Sequence, residues 1–141
     1  MNRTKFSALI SLLFVSLVFA ESAAEEHLVC QTELATGIAK IDGTWMATDF
    51  QKRTYTIKFN EERSLLTGDI HGGSYLCEKP FASTQDDYVV CTYPEHSIGE
   101  TFNYNFSTKR FVFFSPSSAG YLKNIRNPDT ESLEVGTCVS L

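Results

Sequence analysis

The sequence predicts an all-β domain, a small antiparallel β-sandwich or barrel of about seven to nine short strands stapled by two disulfides. Three observations carry this. Apolar residues alternate with polar ones at period two, as in "RTYTIKFN" and "TFNYNFS". Clusters of turn formers recur at intervals of about eight to twelve residues. The four cysteines, Cys30, Cys77, Cys91 and Cys138, form an even set in a short chain.

Along the chain, residues 1–20 read as a cleaved secretory signal peptide. Arg3 and Lys5 precede an apolar run from Phe6 to Phe19, and Val18-Phe19-Ala20 offers small residues where a signal peptidase reads them. The run falls short of the roughly 20 apolar residues that a membrane-spanning helix needs. No second apolar run follows, so no transmembrane segment is expected after cleavage. Residues 21–27 are expected to form a flexible mature N-terminus and residues 28–141 a single β-domain.

Cleavage leaves 121 residues, enough for one modest core. It also leaves 10 basic residues against 17 acidic ones, a net charge of −7. That balance argues against nucleic acid, whose phosphates require a basic face. The expected location is the periplasm or the extracellular space, where disulfides persist.

For the cysteines we expect Cys77–Cys91 and Cys30–Cys138. The first pairing clamps neighbouring strands across a short loop, and the second ties the ends of the domain together. A metal site is the rival reading, and the absence of Cys-x-x-Cys and His-x-x-x-His spacing speaks against it.

The strands are read in order. "TYTIKF" places Tyr55, Ile57 and Phe59 on one face; "TFNYNF" places Phe102, Tyr104 and Phe106 on one face. "YLCEK", "DYVVCTY" and "SLEVGTCVSL" are further β-favouring runs, whereas "ELATGIAK" has the composition of a weak helical turn. A shift of 47 residues lays "TYTIKFNEERSLLTG" on "TFNYNFSTKRFVFFS", two hairpins of one design. Phe102, Tyr104, Phe106, Phe111 and Phe113 are assigned to the core, as is Trp45 by default. Phe113 and its neighbour Phe114 must point to opposite faces.

No catalytic constellation emerges. His27 lies near the mature terminus, His71 in the Gly-rich turn "DIHGGS" and His96 in "YPEHSIG", and no Gly-x-Ser-x-Gly elbow accompanies them. The acidic pairs Glu61-Glu62 and Asp86-Asp87 fall at hairpin tips or strand starts. Asp129, Glu131 and Glu134 in "NPDTESLE" lack the spacing of a calcium loop, so no metal ligand is assigned. No phosphate or dinucleotide glycine motif points to a cofactor. Asn105-Phe106-Ser107 fits the N-glycosylation pattern.

In size, export signal, disulfide use and β content the chain resembles the small periplasmic β-barrel inhibitors of lysozyme. "HGGSYLCEK" resembles their Ser-Gly-x-x-Tyr inhibitory loop but lacks its Ser-Gly order, so no residue role is transferred.

The expected function is therefore non-catalytic: a binding or inhibitor-type module acting on a protein or envelope component. Loops would carry it, with His71, Gly72, Gly73 and Ser74, Glu95 and His96, Ser117 and Ser118, and the outward ring of Phe114 as candidates. The alternatives are a secreted hydrolase using a loop histidine, and a lipocalin-like carrier whose aromatic residues line a cavity.

Overall fold

The computed structural model describes residues 24–70, 73–80, 87–94, 99–116 and 130–141. Their backbone forms nine antiparallel strands: β1 (Glu26–Ile41), β2 (Thr44–Asp49), β3 (Thr54–Phe59), β4 (Leu65–Gly68), β5 (Ser74–Glu78), β6 (Tyr88–Thr92), β7 (Thr101–Asn105), β8 (Arg110–Pro116) and β9 (Thr130–Ser140). Eight of them, all but β2, close into a barrel, because β1 pairs with β3 on one edge and with β9 on the other. Of the two expected architectures, the structure is the barrel.

β1 opens the fold at Glu26, which pairs with Phe59, and His27 pairs with Lys58. The strand thus begins two residues ahead of the expected domain start. "ELATGIAK" is strand, not helical turn. Its backbone is held on both edges, by β2 and by β9, and two ladders outweigh a weak local preference.

A single register runs along β1 and its hairpin partner. Ile41 faces Thr44, Thr36 faces Asp49, Gln31 faces Thr54 and Glu26 faces Phe59. β2 and β3 are therefore two halves of one return strand, folded back at Asp42-Gly43. Both turn residues have positive φ, 50° and 81°, the combination that a two-residue type I′ hairpin demands. The first half of this hairpin is barrel wall. The second half continues past it as an arm, with β2 on a free edge among the described residues.

On the opposite edge of β1, Glu33 is an extra residue. Thr32 faces Gly136 but Leu34 faces Val135, a β-bulge that reverses which residues point inward. Thr32 is inward before it, and Ala35 and Ala39 after it. The seam is tight here: a Cβ on Gly136 would stand 2.0 Å from the Gln31 carbonyl oxygen and 2.7 Å from the Phe111 ring.

Both expected disulfides are present, and each links directly opposed residues of adjacent strands. Cys30–Cys138 joins β1 to β9, and Cys77–Cys91 joins β5 to β6. All four cysteine side chains lie in the core.

The interior is filled by rings. Phe59 stacks on Tyr104 at 5.5 Å and meets Phe106 edge-on at 4.9 Å, while Phe102 stacks on Phe111 at 5.2 Å. Tyr55 meets Phe113 at 5.9 Å. The five residues of 101–114 assigned to the core are all buried, and Phe113 and Phe114 do point opposite ways. Phe113 is wholly buried, whereas Phe114 lies half-buried outside, between Thr101 and Leu133.

Trp45 is the exception. It sits on the arm, 44% exposed, with the Lys40 ammonium 5.9 Å from its ring centre. The core expectation fails because the arm has left the barrel, so neither face of β2 has a wall opposite it.

The two hairpins of shared design agree in which residues point inward: Tyr55, Ile57, Phe59 and Leu66 in one, Phe102, Tyr104, Phe106 and Phe113 in the other. Their registers differ. Phe59 faces Leu66, but Phe113 faces Phe102, four residues from its counterpart's position.

The disulfides should differ in weight. In the chain-entropy model, a bridge closing about 100 residues contributes roughly 4.7 kcal/mol and one closing about 15 roughly 3 kcal/mol. Urea unfolding should therefore show Cys30→Ala/Cys138→Ala less stable than Cys77→Ala/Cys91→Ala by about 1–2 kcal/mol. Equal losses would count against the seam bridge as the stronger constraint.

Candidate functional site

The barrel has two chemically different ends. At the turn end lie the β3–β4 and β7–β8 turns and both chain termini of the domain. Here the Arg63 guanidinium caps the Phe106 ring at 3.8 Å, a cation–π contact between the two hairpin tips. Arg63 also pairs with Asp87 and, at 3.6 Å, with Glu26, which in turn accepts from Lys109 at 2.5 Å. This end is plugged by an ion-paired plate over aromatic side chains. Nearby, Lys58 donates to Glu25 at 2.6 Å, and that hydrogen bond holds the Glu25 carboxyl below its ordinary value.

At the arm end the inward-facing residues turn polar. Glu134 is 1% exposed and points into the barrel. Its Oε2 accepts from the Tyr55 hydroxyl and from the Thr32 hydroxyl, both at 2.8 Å. Its Oε1 lies 3.7 Å from Nε of Arg53, whose side chain reaches solvent. A buried carboxylate without partners would cost several kcal/mol; two hydroxyl donors and the Arg53 charge make this one tolerable. Glu100, one row nearer the rim, is also buried; it accepts from the Tyr75 hydroxyl and from the Ser115 hydroxyl at 3.4 Å. The Tyr75 ring packs on Tyr93 at 5.2 Å.

Burial and the neighbouring carboxylates push the Tyr55 and Tyr75 hydroxyls well above the ordinary tyrosine range. Tyr104 is raised mainly by burial and has no hydrogen-bond partner for its hydroxyl. The Tyr55 and Tyr75 hydroxyls are neutral donors to their carboxylates, and none of the three is suited to act as a base at neutral pH.

Three of the sequence-predicted loop residues, Gly73, Ser74 and Phe114, are described, and they lie at the arm end. Gly73 accepts no larger side chain, since a Cβ there would stand 2.1 Å from the Tyr93 ring. Ser74 is exposed and pairs with Thr67, and Phe114 lies on the outer wall of the same end. His71, Gly72, Glu95, His96, Ser117 and Ser118 lie outside the described residues, as does Asp129. His27 is at the opposite end, 3.9 Å from Glu25. The structure thus brings Gly73, Ser74 and Phe114 to one end and places no described histidine with them.

Glu131 and Glu134 face opposite sides of β9: Glu131 stands outside opposite Ile38 and Pro116, Glu134 inside opposite Phe113. Among the described residues, no group of three His, Cys, Asp or Glu side chains could hold a metal ion. Asn105 uses its Oδ1 to accept from the Thr108 backbone within the β7–β8 turn, at 2.9 Å. A shallow outer groove of about 410 Å³ runs along β5 and β6 between Leu76, Val90 and Pro94.

The buried carboxylates were absent from the sequence-predicted site. Parity could have found them. With Cys138 pointing inward, Gly136 and Glu134 follow at period two, and Phe102 likewise implies Glu100.

No protein family model, curated protein or solved structure matches this chain.

The two buried hydroxyls give opposite expectations for one chemical change. Tyr55→Phe should cost about 1–3 kcal/mol, because buried Glu134 loses a donor. Tyr104→Phe, which removes an unpaired hydroxyl, should be neutral or stabilising by up to about 1 kcal/mol. Chemical denaturation of the two variants decides; equal losses would refute the assignment. A second expectation concerns alkaline pH. Unfolded tyrosine ionises near pH 10, but Tyr55, Tyr75 and Tyr104 are raised in the fold. Their contribution is therefore complete below about pH 10 and falls away above it, where the unfolded chain sheds protons first. Tyrosinate absorbance from these residues should appear together with unfolding, not before it.

Proposed function

We propose that this protein is an exported, non-catalytic binding or inhibitor-type module, contacting a protein or envelope component through its arm end. The observation that carries this reading is the asymmetry of the barrel. One end is sealed by Arg63 and its ion pairs over Phe106. The other carries Gly73, Ser74, the half-buried Phe114 and the arm with its exposed Trp45 and Met46. Recognition residues gathered on one side of a rigid scaffold are a common arrangement for binding.

Two further points support it. The two disulfides suit an oxidising, exported compartment. Among the described residues the interior is occupied by ring-on-ring contacts from Phe59 to Phe113, which favours a binding surface on the outside over an aromatic-lined carrier cavity. Net negative charge favours a partner with a basic contact face over nucleic acid or an anionic membrane.

Affinity capture with the oxidised protein, from the envelope or medium of its source, tests the reading. A captured partner should be lost when residues 71–74, 95–98 and 117–118 are replaced together by Gly-Ser linkers. Retention by the turn-end variant Lys109→Ala is expected. Binding that survives the loop replacement would overturn the placement at this end, and turnover abolished by His71→Ala/His96→Ala would overturn the non-catalytic reading.

A further inference from the structure

Among the described residues β2 ends the sheet as an edge strand, and natural edge strands are blunted by lysine, proline or bulges. Its sequence "TWMATD" has none of these, and its only charge is Asp49 at the far end. Exposed apolar side chains cluster around it: Trp45 and Met46 on β2, Ile38 and Ile41 on β1. We propose that two copies of this protein associate edge to edge through β2, in an antiparallel register centred on Ala47. This goes beyond the partner-binding reading and does not depend on it.

The backbone selects the residues that pair. Phe50 donates to the Ala35 carbonyl at 3.0 Å, so its polar groups face β1. Alternation along an antiparallel ladder then turns the N–H and C=O of Thr48, Met46 and Thr44 toward β1 as well. Those of Trp45, Ala47 and Asp49 face the free edge. A two-fold axis perpendicular to the sheet keeps its faces continuous, so residues of like parity meet. Centred on Ala47, this register opposes Trp45 to Asp49 of the second copy and Ala47 to its own counterpart. Every outward N–H and C=O from Trp45 to Asp49 is then satisfied.

Side chains favour the same register. Lys40 faces Trp45 across the β1–β2 ladder. In the dimer, Trp45 also faces Asp49 of the second copy, so Lys40 and that carboxylate flank one indole ring, twice by symmetry. The methyl group of Ala47 leaves room at the axis, beside Ile38. Centring on Met46 instead would bring Asp49 against the Asp42-Gly43 turn of the second copy, setting two aspartates side by side. Charge complementarity therefore chooses the Ala47 centre.

Sedimentation equilibrium of the purified, oxidised protein, with no other component present, tests this. A dimer is expected. Lys40→Asp and Asp49→Lys should each weaken it on the order of tenfold, since each sets like charges together at two symmetric positions. Mixed in equal amounts, the two variants should form a heterodimer near wild-type affinity, because every Lys then meets an Asp. Ala47→Pro, which lacks the axial N–H, should be monomeric while keeping the far-ultraviolet circular dichroism of the folded barrel. A wild-type protein that stays monomeric at all concentrations, or a dimer indifferent to the charge reversals, overturns the proposal.

Discussion

The pairing of β1 with β9 is the constraint on which the rest of this structure depends. It converts a meander of hairpins into a closed barrel, and the Cys30–Cys138 bridge lies within it. Without that seam the sheet would have two open edges and an aromatic face against water. With it, every inward residue acquires a wall opposite, and a chain of modest length buries rings in ring-to-ring contact. The close approach at Gly136 and the bulge at Glu33 belong to the same seam. They set which residues of β1 face inward on either side of Thr32, and so carry Ala35 and Ala39 to the inner face.

Along the barrel axis the interior changes character. At the turn end it is aromatic carbon, capped by Arg63; at the arm end it becomes carboxylate and hydroxyl. The two buried glutamates are stabilised differently from the rings around them. They rely on directed donors such as Tyr55, Thr32 and Tyr75 in place of area. Hydrophobic burial tolerates small displacements, but hydrogen bonds to a buried charge do not. The arm end therefore has a more sharply specified geometry in its lining than the turn end.

Much of the barrel was legible in the sequence because one rule, alternation at period two, governs nearly all of it. The opposed faces of Phe113 and Phe114, the buried row Phe102, Tyr104, Phe106 and the cross-strand disulfides all follow from that rule and from the cysteine count. What was hidden depends on long-range register. Trp45 obeys alternation as well as Tyr55 does, but alternation is silent on where a strand leaves the barrel. The repeated hairpins show the same limit: their inward residues match, yet their ladders differ by four residues, because turn closure sets register locally. Glu134 and Glu100 were within reach of parity, but an ionisable residue in an apolar-looking strand is read by default as outward. Most of the loop positions favoured as a site lie outside the described residues; Gly73, Ser74 and Phe114 are the ones the structure describes.

The seam also orders events in time. A ribosome makes β1 first and β9 last, so the two halves of the closing ladder are separated by nearly the whole chain, 108 residues between the bridged cysteines. Cys77 and Cys91, 14 residues apart, become neighbours as soon as β5 and β6 form a hairpin. Cys30, by contrast, must wait as a free thiol on a strand whose second edge is still bare. Closing that distance carries the largest loop-entropy cost in the molecule. A thiol exposed for that interval is the one that an oxidant would mispair, so correct maturation rests on β9 arriving before Cys30 finds another sulfur.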